Sequence, residues 1–151
     1  MTKQQEKGNA PQFANEIDEA RYQIGASAGW LTNNLRNHLK PYGITWKQYN
    51  ILNILRNNDN DAMRIQEVRD SMTDKMSDAS RLIDRLVQKK LLKKTPSTVD
   101  GRSNLAELTS AGYRMLEKIE KDSEQLDSII GDRLSKKEVK QLNDLLSKMR
   151  S

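Results

Sequence analysis

Apolar residues recur along this chain at two distinct periods, and their spacing sets out most of its elements. Between Asn15 and Leu39 they stand at Ile17, Ile24, Ala28, Leu31, Leu35 and Leu39. Steps of three, four and seven lay one stripe along a helix, so a single long amphipathic helix is expected over 15–39. Pro41 and Gly43 end it, because proline disfavours helix in the residue before it and glycine permits the turn. Thr45-Trp-Lys-Gln48 has the form of a capping box, the threonine accepting from first-turn amides while the glutamine reaches back. It opens a second helix carrying Tyr49, Ile51, Leu52 and Leu55. Asn57 to Asp61 is a turn cluster, since such side chains bond nearby backbone and compete with helix.

Met63 and Ile65 suit one brief strand, followed by a short helix bearing Val68 and Met72. Thr73 or Asp74 is placed to cap the next helix, expected from about Met76 to Lys90, with Leu82, Ile83, Leu86 and Val87 at helical spacing. The period then breaks. Two short strands are expected at about 91–95 and 103–108, joined by a turn around Pro96 to Gly101. Thr109 begins another helix, in which Leu116, Ile119, Ser123, Leu126 and Ile130 alternate by three and four until Gly131 interrupts. Ser135-Lys-Lys-Glu138 is a second capping box, and Val139, Leu142, Leu145, Leu146 and Met149 supply the last apolar face.

Two short helices joined by a tight turn and followed by a two-stranded wing form the winged variant of the helix-turn-helix. The expected class is therefore mostly α (α+β). Residues 45–108 form the winged module, 1–14 a flexible tail, and 15–44 with 109–151 a helical dimerisation region. The outer helices carry more apolar surface than the module needs, which favours a homodimer.

Composition narrows the chemistry. The 151 residues include no cysteine, which removes disulfides, thiol nucleophiles and cysteine-based zinc sites together. No Gly-rich phosphate loop, metal-ligand cluster or nucleophile-base pair stands at a plausible spacing, so neither an enzyme nor a cofactor is expected. No apolar run approaches the roughly 18 residues of a spanning helix, and MTKQQEKGNAPQF lacks an apolar signal core. A soluble cytoplasmic protein with no membrane partner is expected.

The formal charge is +5, and it is concentrated. From Lys75 to Arg102 eight basic side chains stand against three acidic ones, a net +5 that leaves the remainder neutral. One basic segment in a neutral chain is the footprint of a polyanion partner, because neutralising phosphates and releasing their counterions supplies non-specific affinity. A helix suits the major groove when an apolar back fixes it to its domain and a polar front faces outward at its N-terminal end. Leu82, Ile83 and Leu86 provide the back. Lys75, Ser77, Asp78, Ser80 and Arg81 provide the front.

Several motifs occur here in order: Ser80-Arg81-Leu82, Arg85-Leu86, Asp100-Gly-Arg102 and Leu108-Thr109-Ser-Ala-Gly112. Together, across about 45–112, they resemble the multiple-antibiotic-resistance-regulator (MarR) family of bacterial transcription factors. The resemblance implies a winged-helix homodimer whose first and last helices build the dimer interface. It implies binding to a pseudo-palindromic operator in double-stranded DNA, usually to repress, with release by a small-molecule effector. By position, Ser77, Asp78, Ser80 and Arg81 fall on the groove-facing start of the recognition helix. Arg102 falls at the wing tip that enters the minor groove, and Asp100 matches the aspartate that orients a nearby basic residue. Lys90 departs from the family's common glycine, and the wing holds no lysine or arginine between Pro96 and Arg102.

Plainer readings stand beside these. Arg81 and Arg85 could pair with Asp78 and Asp84 at helical spacing; for Arg81 DNA contact is favoured, and for Arg85 both readings stand. Asp78 suits a helix N-terminus, where the macrodipole favours negative charge. Lys89, Lys90, Lys93 and Lys94 are either solubilising or phosphate-contacting, with Lys94 on the wing strand the candidate. Trp30, His38, Trp46 and Tyr49 could line an effector cleft, although aromatics at such positions more often fill core, as do the six methionines. A winged-helix module that binds protein instead of DNA is the alternative function.

Overall fold

The computed structural model describes residues 11–97 and 104–151. In chain order come α1 (Glu16–Leu39), a 3-10 turn (Lys40–Tyr42), α2 (Trp46–Arg56), β1 (Ala62–Arg64), α3 (Ile65–Ser71), α4 (Ala79–Gln88), β2 (Leu92–Pro96), β3 (Asn104–Leu108), α5 (Ser110–Lys121), α6 (Glu124–Gly131) and α7 (Lys136–Met149). Contacts divide the chain after Asn34. In the first unit, every residue of α1 from Glu19 to Leu31 is exposed, Ile24, Trp30 and Leu31 among them.

Local chemistry explains most boundaries. The Asn15 side-chain oxygen accepts from the amides of Ile17 and Asp18 at 3.0 Å, which caps α1. Gly43 takes φ +70° where the 3-10 turn ends, a conformation only glycine adopts without strain. Both capping boxes form as the sequence suggests, Thr45 with Gln48 and Ser135 with Glu138.

From Leu35 onward a single core organises the fold. Leu39, Ile51, Leu52, Val68, Ile83, Leu86, Leu116 and Ile119 are its largest fully buried side chains. The sheet has three antiparallel strands in the order β1-β3-β2. In β3, Ala106 is buried and sits opposite Met63 on one side and Lys94 on the other.

Four expectations change. β1 is not isolated but pairs with β3, which no local pattern could announce. Ile65 belongs to α3 rather than to the strand. α4 starts at Ala79, three residues late, and its cap is Asp78 rather than Thr73 or Asp74. The seam after Thr109 is broken at Asp122 and Ser123, whose amides bond back only three residues. Aspartate and serine favour such ends, and the Tyr42 hydroxyl donates to the Asp122 carboxylate there. Leu116 and Ile119 consequently fill the winged-helix core.

The junction from α4 to α5 is tightly built. Lys90 has φ 61°, the one non-glycine with positive φ among the described residues. Its amide bonds Val87 O at 2.9 Å and the Leu91 amide bonds Leu86 O at 3.0 Å, the paired bonds of a left-handed helix terminus. The turn that glycine would favour is kept with lysine in it. Leu91 then lies under α5: its carbonyl accepts from the Thr109 amide at 3.1 Å, and Thr109 Oγ1 donates to Lys90 O at 2.7 Å.

Replacing Lys90 with glycine should stabilise the fold by about 1 kcal/mol through relief of left-handed backbone strain, read as a higher urea midpoint. Gly112→Ala should do the opposite, because its Cβ would stand 2.3 Å from Leu91 O and 2.8 Å from Leu108 Cδ2. Overpacking of that kind costs roughly 1–3 kcal/mol, and an unchanged midpoint would contradict this account of the junction.

Candidate nucleic-acid interface

Ala79, Ile83 and Leu86 are completely buried along one side of α4. Their spacing of four and three makes a continuous back, so Asp78, Arg81, Asp84 and Arg85 are exposed on the rest of the helix. Ser77 and Ser80 are half-buried at its start. Asp78 does not project as a free carboxylate: its Oδ1 accepts from the Arg81 amide at 3.1 Å and closes the helix N-terminus.

The turn between α3 and α4 is pinned on three sides. Asp74 accepts from the Met76 amide at 3.0 Å through Oδ1 and meets Lys47 of α2 at 2.9 Å through Oδ2. The Asp74 carbonyl accepts from the Ser77 amide at 3.2 Å. The Lys47 ammonium first, then the Ser77 hydroxyl and the Met76 amide, hold the Asp74 carboxyl below its ordinary range. Lys75 reaches back to the Asp70 carbonyl at 2.9 Å, a cation on the last turn of α3, where the helix dipole favours it.

The basic cluster separates into engaged and disengaged charges. Lys94 meets Asp84 at 2.8 Å, Lys93 meets Glu107 across the sheet at 3.1 Å, and Lys89 donates to Gly43 O at 2.7 Å. Lys94, the expected phosphate ligand, is engaged in an ion pair with Asp84, made because β2 passes alongside α4. Arg81 and Arg85 form no ion pair among the described residues, so their pairing with Asp78 and Asp84 is not realised. These two guanidiniums stand one turn apart on one exposed face. Asp100 and Arg102 lie outside the described residues.

Sequence reasoning missed Met76. Assigned to core with the other methionines, it is 94% exposed, whereas Met72 is buried as expected. Its position is in phase with Ala79, Ile83 and Leu86, so periodicity alone assigns it inward. The late start of α4 places it in the turn instead.

Of the effector candidates, His38 lines a cleft of about 440 Å³ together with Tyr42, Lys121, Asp122, Glu124 and Gln125. Its Nε2 is buried and has no hydrogen-bond partner among the described residues. Asp122 raises the Tyr42 hydroxyl above its ordinary pKa by accepting its hydrogen bond. Trp46 and Tyr49 pack against the core, and Trp30 is exposed on α1, so none of these three lines that cleft. No group of three or more potential metal ligands, and no helix long and apolar enough to cross a membrane, occurs among the described residues.

This arrangement of helix, turn, helix and strand pair defines a winged helix-turn-helix protein. The sequence model of the MarR family matches residues 42–103. No curated protein matches the chain. Among solved structures, a cysteine-to-serine mutant of MarR from E. coli complexed with operator DNA is 25% identical, with 92% of this chain and 99% of that chain covered and a TM-score of 0.81. Wild-type MarR from E. coli in its apo form is 26% identical, with 85% and 93% covered and a TM-score of 0.69. MepR from S. aureus, in a DNA complex, is similar in fold at 21% identity, with 85% and 93% covered and a TM-score of 0.74. Over most of its length the chain shares the fold of these MarR structures, and the family's own sequence pattern is matched within residues 42–103.

Because the Asp74 carboxyl is held below its ordinary value of 3.8, its contribution to stability is present above that pH. The contribution is lost as pH falls through the lower folded value. The stability gap between the native protein and Asp74→Asn should stay constant above about pH 5 and narrow on acidification. Urea unfolding across a pH series reads it, and a gap indifferent to pH would sink the assignment.

Proposed function

We propose that the protein is a DNA-binding transcriptional regulator that acts as a homodimer on a pseudo-palindromic operator. The observation that carries this reading is the pair Arg81 and Arg85, exposed and without an ion pair among the described residues, on a helix whose back is buried and whose N-terminus is capped. Arg81, with Ser80 beside it, reads base edges in the major groove, where a guanidinium pairs bidentately with guanine. The Ser77 hydroxyl, by contrast, is buried in the turn. Arg85 and Lys90 suit phosphates, and Arg102 suits the minor groove at the wing. Asp78 serves these contacts by fixing the helix start, and Lys94 gives way to Arg85 and Lys90 as a phosphate ligand. The E. coli MarR mutant held on operator DNA supports the same reading.

Residues 45–108 form the reading module in this proposal, with 15–44 and 109–151 as its dimerisation frame. Ile17 and Ile24 on α1 and Leu145 and Met149 on α7 are exposed in the single chain, as surfaces that await a partner copy would be. The protein works in the cytoplasm as a repressor, not as an enzyme. A small effector that enters the His38 cleft acts on the far end of the α5 helix, whose first turn is bonded to Lys90 and Leu91. Internal pairing of Lys93 and Lys94 thins the charge on the wing, which is the observation favouring a protein-interaction module as the second reading.

Fluorescence anisotropy with duplexes selected from a random library separates the two. The regulator should bind a palindrome with half-sites roughly 34 Å apart, and its affinity should fall steeply between about 50 and 200 mM salt. Arg81→Ala should cost about 1–3 kcal/mol and relax preference at one position per half-site. Absence of binding to any duplex at low salt would favour the interaction module.

A further inference from the structure

Met76 is 94% exposed, more than any other large hydrophobic residue described. One exposed apolar side chain is ordinary on a protein surface, but this one is held out by the construction around it. Had α4 begun where the apolar period begins, Met76 would share the buried side with Ala79, Ile83 and Leu86. Asp78 instead caps the helix at Ala79, and the preceding turn is fixed. The Met76 amide is bonded to Asp74, Asp74 is tied to Lys47 on α2, and Lys75 is tied to Asp70. The side chain therefore projects from a braced turn at the same end of α4 as Ser77, Ser80 and Arg81. That is the edge assigned above to the major groove.

In that groove only thymine offers an apolar group, its C5 methyl; every other distinguishing feature is a hydrogen-bond donor or acceptor. A thioether on three rotatable bonds can pack against such a methyl but cannot report a donor or an acceptor. Serine and arginine have the converse ability. We propose that Met76 is a specificity-determining residue that reads the methyl group of a thymine in each half-site, adjacent to the position read by Arg81. The inference rests on the DNA-binding reading. It adds a sequence requirement that the charged residues do not impose.

The test uses the full chain and the duplex it selects from random DNA, resynthesised with each thymine in turn replaced by deoxyuridine. That exchange removes the methyl and leaves the pairing intact. At one symmetry-related thymine per half-site, affinity should fall by roughly fourfold, the equivalent of one buried methyl. Met76→Ala should bind the unmodified duplex more weakly by a similar factor and be indifferent to deoxyuridine at that thymine. Arg81→Ala, as control, should keep the sensitivity. The inference is overturned if the native protein ignores every replacement, or if Met76→Ala remains as sensitive as the native protein. It is also overturned if Met76→Ala changes oligomeric state and not DNA preference, which would make this side chain a contact between proteins. Failure of the native protein to bind any duplex removes the DNA reading itself, a result distinct from binding without methyl discrimination.

Discussion

The insertion of Ala79, Ile83 and Leu86 into the core determines where every polar group on α4 can point. These three side chains have no exposed surface, and full burial of a leucine or isoleucine is worth about 1.5–3 kcal/mol. Rotation of α4 by even a third of a turn would withdraw that surface and drive charged residues inward, at a cost that rises sharply for any unpaired charge. The exposed positions of Arg81 and Arg85 are thus consequences of apolar packing. Nothing polar on the outer face is needed to hold them there.

Both ends of α4 are secured by backbone chemistry, at the N-terminus by the Asp78 cap and at the C-terminus by the left-handed Lys90. The latter bend delivers Leu91 beneath Gly112, where there is no room for a Cβ. The glycine in the Leu-Thr-x-x-Gly motif is therefore explained by close approach, since the limiting contact is a backbone carbonyl that cannot step aside. The same junction links the recognition segment to α5, and α5 in turn ends beside the His38 cleft. A contiguous run of packed backbone connects the two places.

Electrostatics sorts the basic cluster further. Lys75, Lys89, Lys93 and Lys94 are all committed to carbonyls or carboxylates of the protein itself. The arginines on α4 have no such partner among the described residues. Formal charge counted along the segment treats these residues as equal, although a lysine that meets an aspartate has little net field to offer a phosphate. Exposed pairs of this kind contribute little stability; their effect here is on which cations remain available.

What the sequence by itself determined was local: helix existence from periodicity, the Thr45 and Ser135 boxes, the end of α1 near Pro41 and Gly43, the basic segment and the motifs around Arg81. Such features depend on side chains a few residues apart, so their physics is written in the order of the chain. The tertiary structure decided the rest. It paired β1 with β3, started α4 at Ala79 and so exposed Met76, ended α5 at Asp122, and matched Lys94 to Asp84. Each of those outcomes turns on a partner distant in sequence or on competition between a cap and a period. Spacing along a chain records which residues could share a face, but only packing selects the residue at which a helix begins and the carboxylate that a lysine meets.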